Sequence, residues 1–173
     1  GEQLRRAHAE QRLTAVQNEY SLLWRGPEQW VLNACEELGI GFVPWSPLGV
    51  GFLAGAIDAN TRFAQGDIRG IEPRFSPENL PGNLALVQVL KQWGERKNAT
   101  AGQIALAWLL AKKPWIVPIP GTTQMAHMRE NAGAADVRLT PTEFAELTAS
   151  VDQIKIVGER LPAPVLAYSE VEA

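Results

Sequence analysis

One cysteine, two histidines and no long apolar run are the first things this sequence shows, and each shortage excludes something. A lone Cys35 can form no internal disulfide, and within the helix-like NACEELG it reads as a small buried apolar residue rather than a nucleophile. No Cys or His pair stands at metal-ligand spacing, and neither a nucleophile elbow nor a glycine-rich Rossmann fingerprint is present. The longest apolar stretches, such as residues 105–111, are far too short to cross a bilayer, and GEQLRRAHAE at the N-terminus lacks the apolar core of a signal peptide. A cytoplasmic location is therefore expected. Excess positive charge is missing too: 16 Lys plus Arg against 19 Asp plus Glu leave a net charge of −3 without long same-sign runs. Neither nucleic acid nor a membrane surface is an expected partner.

What is present is enough for one α/β unit over residues 1–173, of which 46% are hydrophobic. Residues 2–9 have a helical pattern, and LTAVQNEYSL (13–22) reads as a buried parallel strand. Pro27 can open a helix in which Trp30, Val31, Ala34, Cys35 and Leu38 recur at helical spacing until Gly39. GIGFVPWSPLG supplies a second strand and its loop. Residues 54–83, rich in Gly, Pro, Asp and Asn, read as an irregular lid-like insertion. Helices are expected at 84–97 and 101–112, a third strand at WIVPIPG, and further helices at 124–134 and 141–154. The last of these opens with Thr140, Pro141 and Glu143 as N-cap, first-turn proline and N3 acid, ahead of a tail at 155–173. About three parallel strands would leave two open edges and incompletely covered faces, as in a piece of something larger.

The unusual residues gather at the ends of the expected strands. PGTT, with Gly121, Thr122 and Thr123, could bring backbone and hydroxyls to a phosphate at a helix N-terminus, or could be a plain turn with a threonine cap. Trp45 could offer its face to an aromatic ring or could be a core residue. Gln17 suits a carboxamide ligand, and a buried glutamine satisfied by backbone would look the same. His127 could meet a phosphate or simply be solvated, while His8 has no evident partner. The pair Glu36–Glu37 is explained by solvation of a helix surface.

The motifs QNEYSL, GIGFVPWSPLGVGFLAG, PRFSPEN and VPIPGTTQMAHMRENAGA, in this order and spacing, resemble the aldo-keto reductases, particularly the bacterial, plant and channel-β-like branch with an IPGTT turn. The tail KIVGERLP resembles that branch's G-[DE]-R-Y-P ending. The resemblance implies a (β/α)8 TIM barrel that binds NADPH and reduces aldehydes or ketones by hydride transfer without a metal. About the last three β/α units of that barrel would be represented here.

By the same resemblance, Gln17 would hold the nicotinamide carboxamide and Trp45 would stack on the nicotinamide. Ser46, Leu48 and Gly49 would contact the pyrophosphate, Gly121, Thr122 and Thr123 the adenosine phosphates, and Glu130 with Asn131 the adenine. Gln124 stands where lysine is common and His127 where arginine is usual, so the clamp on the 2′-phosphate is expected to be weak and NADH remains possible. Val50 replaces a frequent arginine or glycine. The family's catalytic Asp, Tyr, Lys and His lie on earlier strands, and neither Tyr20 nor Tyr168 inherits the proton-donor role, so no catalytic residue is assigned and residues 1–173 alone are expected to be inactive. The alternatives are a nucleotide-responsive regulatory subunit of the channel-β kind, or a truncated, self-associating fragment without activity. The expected partners are a carbonyl substrate in the complete barrel and either an N-terminal barrel segment or a second copy.

Overall fold

A computed structural model describes residues 1–167, so Tyr168 and the end of the expected tail, 168–173, lie outside the described residues. The first helix, α1, runs Glu2–Glu10. His8 does have a partner: its Nδ1 accepts a hydrogen bond from the Leu13 N–H at 3.2 Å, fixing the turn into the first strand. That strand, β1, is Ala15–Glu19, shorter than expected because the chain turns at once through a Ser21–Trp24 bridge.

Proline at the first turn opens α2, Pro27–Leu38, and Gly39 closes it at φ 65°, the left-handed conformation that glycine adopts at least cost. The buried face is set by Leu32, Ala34 and Cys35, whereas Trp30, expected on the apolar stripe, is exposed. Burial pushes the Cys35 thiol up to about 11, as suits a packing residue. Glu36 and Glu37 form surface ion pairs with Lys113 and Arg5.

The second strand, β2 (Gly41–Trp45), lies parallel to β1, with Gln17 beside Val43 and Glu19 beside Trp45. The third expected strand runs along the other edge of β2 but is reduced to one parallel bridge, Phe42 to Ile116. Phe42 N–H donates to Trp115 O, Val117 N–H to Phe42 O and Ile119 N–H to Pro44 O, at 3.0, 2.9 and 3.1 Å. The next donor in the ladder would be the N–H of residue 44, and proline has none.

One face of this sheet carries Phe42, Pro44 and Ile116, all buried. Tyr20 and Trp108 continue the same core, with the Tyr20 ring 5.8 Å from Phe42 and 5.7 Å from Trp108. On this side α2 packs against both strands, and the chain continues through α3 (Leu80–Lys97), α4 (Ala101–Lys112), whose Trp108 joins this core, α5 (Met125–Gly133), α6 (Pro141–Asp152) and the short α7 (Ala163–Leu166). The opposite sheet face is open: Gln17 and Trp45 are exposed there, beside Val117 at 59% and Ile119 at 44%.

Residues 54–83 are only partly irregular. They contain 3-10 turns at Ile68–Ile71 and Pro73–Phe75, and α3 starts at Leu80 rather than Leu84. Pro81 sits in the first turn, where no intrahelical N–H is required of it, so a Pro-Gly-Asn run that reads as loop is helix. Fully buried Asn83 donates to Arg74 O and Val157 O and accepts from Val157 N–H, joining the insertion to the tail. Arg160 of that tail reaches Glu19, at the C-terminal end of β1, at 2.6 Å.

Candidate functional site

The C-terminal end of β2 leads into a series of tight turns in which Ser46, Gly49, Val50, Gly51 and Gly55 all have positive φ. Two of these are not glycine, and for β-branched Val50 at 49° the conformation is unfavourable. Hydrogen bonds from Gly49 N–H to Ser46 O, Gly51 N–H to Leu48 O and Leu53 N–H to Leu48 O hold the turns. Phe52 and Leu53, both fully buried, anchor them in the core.

Between these turns, the 119–122 segment and α5 lies a cleft of about 580 Å³. Trp45, Ser46, Leu48, Gly121, Thr122, His127, Glu130 and Asn131 line it, so most residues singled out from sequence converge from three separate stretches. Gly49, Thr123 and Gln124 do not line it; Gly49 is buried beneath the turn, and the other two are exposed beside α5. Gln17 is outside the cleft as well, but it shares a sheet face with Trp45, its own pair with Val43 lying two register positions from the Glu19–Trp45 pair.

Several alternatives left open by the sequence are resolved by position. Trp45 is no core residue, being 37% exposed at the cleft wall. Gln17 is exposed rather than buried and backbone-satisfied. Neither threonine caps α5: its N-cap is Gln124, which makes no side-chain cap bond, while Thr122 Oγ1 accepts from Gln124 N–H at 3.0 Å. The reason is that the helix starts two residues after Thr123, beyond the reach of a cap from either hydroxyl. The first-turn N–H groups of α5 thus keep their capacity for an anion.

Electrostatically the cleft is sparse. Among the described residues no lysine or arginine lines it; His127 is its one potential cation and Glu130 its one carboxylate. Glu130 is held from below: Thr100 Oγ1 donates to its Oε1 at 2.7 Å, and Gln103 Nε2 donates to its backbone carbonyl at 3.0 Å. Thr100 and Gln103 were not singled out from sequence, although Thr-x-x-Gln ahead of an apolar run is a legible capping-box signature. Pro47, Val50, Gly51, Ala54, Ala56, Ile119 and Pro120 complete the lining, and small or apolar residues of this kind carry no separate chemical signal.

Tyr20 is fully buried, outside the cleft, and its hydroxyl donates to Glu28 Oε1 at 2.7 Å. Burial above all, and then that carboxylate, push its phenol well above the usual tyrosine range. No group of three or more His, Cys, Asp or Glu that could hold a metal occurs among the described residues. No helix among them is long and apolar enough to cross a membrane.

Comparison with known proteins points one way. The model of the "Aldo/keto reductase family" matches residues 1–152. "Aldo-keto reductase str7" of Strobilurus tenacellus is 41% identical over 160 residues, covering 91% of this chain and 48% of the relative. "Aldo-keto reductase yakc [NADP(+)]" of Schizosaccharomyces pombe is 41% identical over 162 residues, covering 92% and 48%. The chain thus spans about half the length of the curated relatives it matches. Among solved structures, a thermostable aldo-keto reductase crystallised with the inhibitor epalrestat superposes with a TM-score of 0.61 at 25% identity, over 84% of this chain and 43% of that one. A glycerol dehydrogenase of Gluconobacter oxydans superposes with a TM-score of 0.79 at 19% identity, over 91% and 48%, a likeness of fold alone. These neighbours are (β/α)8 barrels, and the described α/β unit corresponds to a portion of one.

Proposed function

The chain belongs to the aldo/keto reductase family, and we propose that residues 1–173 supply the NADPH-holding part of a barrel that reduces aldehydes or ketones. The observation that carries this reading is the convergence of Trp45, Ser46, Leu48, Gly121, Thr122, His127, Glu130 and Asn131 on one cleft at the C-terminal ends of the strands, where barrels bind their ligands. The naming of the fission-yeast relative for NADP(+) supports the choice of nucleotide.

The donor set suits a dinucleotide. Trp45 presents an aromatic face for the nicotinamide, a stack worth about 0.5–1.5 kcal/mol beyond burial. Gln17, on the same sheet face, can both donate to and accept from the carboxamide. Ser46, Leu48 and Gly49 belong to the turn proposed for the pyrophosphate. Gly121, Thr122 and Thr123 lead to the uncapped N-terminus of α5, which favours the adenosine phosphates. Gln124, beside the cleft, and His127 within it would meet the 2′-phosphate, and Glu130 with Asn131 would receive the adenine.

When bound, the cofactor supplies a hydride to the carbonyl carbon, while the carbonyl oxygen takes a proton. The proton donor is assigned to a tyrosine elsewhere in the complete barrel, since Tyr20 is buried on Glu28. The chain's own residues would bind and orient the nucleotide, and Ala54 and Ala56, at the start of the insertion, line the cleft.

A fluorescence titration with NADPH tests the reading. In the complete barrel, saturable binding that is weakened by Trp45→Ala, together with turnover of a carbonyl substrate, is the expected result. Binding without turnover of any carbonyl would favour the nucleotide-responsive regulatory role, and no binding would refute the proposal.

A further inference from the structure

Helix α4 begins with a capping box whose two side chains each make one bond more than a cap requires. Thr100 Oγ1 accepts from Gln103 N–H at 3.1 Å, and Gln103 Oε1 accepts from Thr100 N–H at 3.0 Å, which is the reciprocal pair that satisfies two orphan donors. Both side chains then spend their remaining donors on the same residue of another helix. Thr100 Oγ1 donates to Glu130 Oε1 at 2.7 Å, and Gln103 Nε2 donates to Glu130 O at 3.0 Å.

The close fit of α5 against this box is visible in Gly133. A Cβ built there would lie 2.8 Å from Gln103 Nε2, so the position must lack a side chain for the amide to reach the Glu130 carbonyl. Glu130 is thereby gripped at its carboxylate and at its backbone, by one preorganised turn. With Oε1 engaged by Thr100, Oε2 is the oxygen left for a donor in the cleft.

We infer that the α4 capping box, Thr100 with Gln103, positions the Glu130 carboxylate at the adenine edge of the cleft and so sets its selectivity for a purine carrying a 6-amino group. The inference rests on the NADPH reading given above. A carboxylate fixed in place accepts from the exocyclic amine of adenine and repels the 6-oxo group of hypoxanthine; a carboxylate free to swing away discriminates much less.

Two substitutions separate positioning from helix capping. Thr100→Asp keeps a good N-cap acceptor but removes the hydroxyl donor and sets a second carboxylate against Glu130. Gln103→Glu keeps the acceptor for Thr100 N–H but removes the donor to the Glu130 carbonyl. The measurement is the ratio of dissociation constants for NADPH and its reduced hypoxanthine analogue, by calorimetry on the full-length protein.

The wild-type ratio is expected to favour adenine by roughly tenfold, the effect of leaving a charged acceptor unpaired. Thr100→Asp and Gln103→Glu should bring the ratio close to one, Thr100→Ser should keep it, and affinity for reduced nicotinamide mononucleotide should be unchanged throughout. An undiminished ratio in both variants, or equal losses for the mononucleotide, would overturn the inference while leaving the cofactor reading in place. Failure of the wild-type protein to bind NADPH would sink both.

Discussion

Gly49 carries a left-handed φ of 53°, and a Cβ placed on it would come within 2.9 Å of Leu23 Cδ2. Gly49→Ala is therefore expected to cost about 1–2 kcal/mol from backbone conformation alone, with displacement of Leu23 in addition. A urea-denaturation midpoint unchanged from wild type would contradict this. Neighbouring Val50 already bears the same conformational cost, which shows that the turn is held by its buried anchors Phe52 and Leu53 rather than by local preference. At the far end of the cleft the decisive residue is His127. Since no lysine or arginine among the described residues lines the cleft, His127→Arg should add a forked, permanently charged donor where the 2′-phosphate is proposed to lie. Affinity for NADPH relative to NADH should rise by roughly tenfold, the low end of a charged hydrogen bond. Paired titrations giving equal gains for both nucleotides would place His127 elsewhere than at the 2′-phosphate.

At the N-terminus of α6, Thr140 accepts from Glu143 N–H while the Glu143 carboxylate accepts from Thr140 N–H and pairs with Lys97 on α3. The Lys97 ammonium foremost, and then the Thr140 N–H, hold the Glu143 carboxyl down at about 2. Its ordinary value in an unfolded chain is about 4.3. Because the folded value is the lower one, the stabilisation is complete above about 4.3 and is lost as pH falls toward about 2. The difference in thermal midpoint between wild type and Glu143→Gln should accordingly be constant at neutral pH and shrink below about pH 4; a difference that persisted at acid pH would assign it to something other than the charge. This helix was also fully legible in the sequence at its start, because a cap is a local signal written in consecutive residues. So were α4 and α2, and so were most cleft residues, once four motifs in register fixed which strand each followed. What was not legible depended on distant partners. The α3 start at Leu80 is secured by burial of Leu80 and Asn83 against the loop and tail, not by the Pro-Gly-Asn run itself. The ladder beside β2 fails at Pro44, a loss that can be counted only once the register is known. Thr100 and Gln103 carried a readable capping signature, but their hold on Glu130, some thirty residues further on, exists only in three dimensions.

The molecule as a whole is covered on one side. Phe42, Pro44 and Ile116 face the helices, while Trp45, Val117 and Ile119 stand on the open face, and both outer edges of the parallel strands lack a neighbour among the described residues. Parallel strands are normally buried on both faces, since an uncovered one exposes apolar side chains and a row of backbone donors and acceptors together. In a closed barrel the further strands would cover both. Expressed by itself, the 173-residue chain should cover them with other copies, so sedimentation should give a mass well above the monomer's 18.9 kDa. Val117→Lys tests which surface is responsible, because residue 117 is 59% exposed, lies on the open face and is not part of the cleft beside α5. A lysine there should shift the distribution toward monomer with little change in thermal midpoint, whereas Glu95→Lys, an exposed change on α3, should not. A wild-type chain that sedimented as monomer at high concentration would show that the open face is tolerated in water, and the argument that it awaits further barrel strands would lose its physical basis.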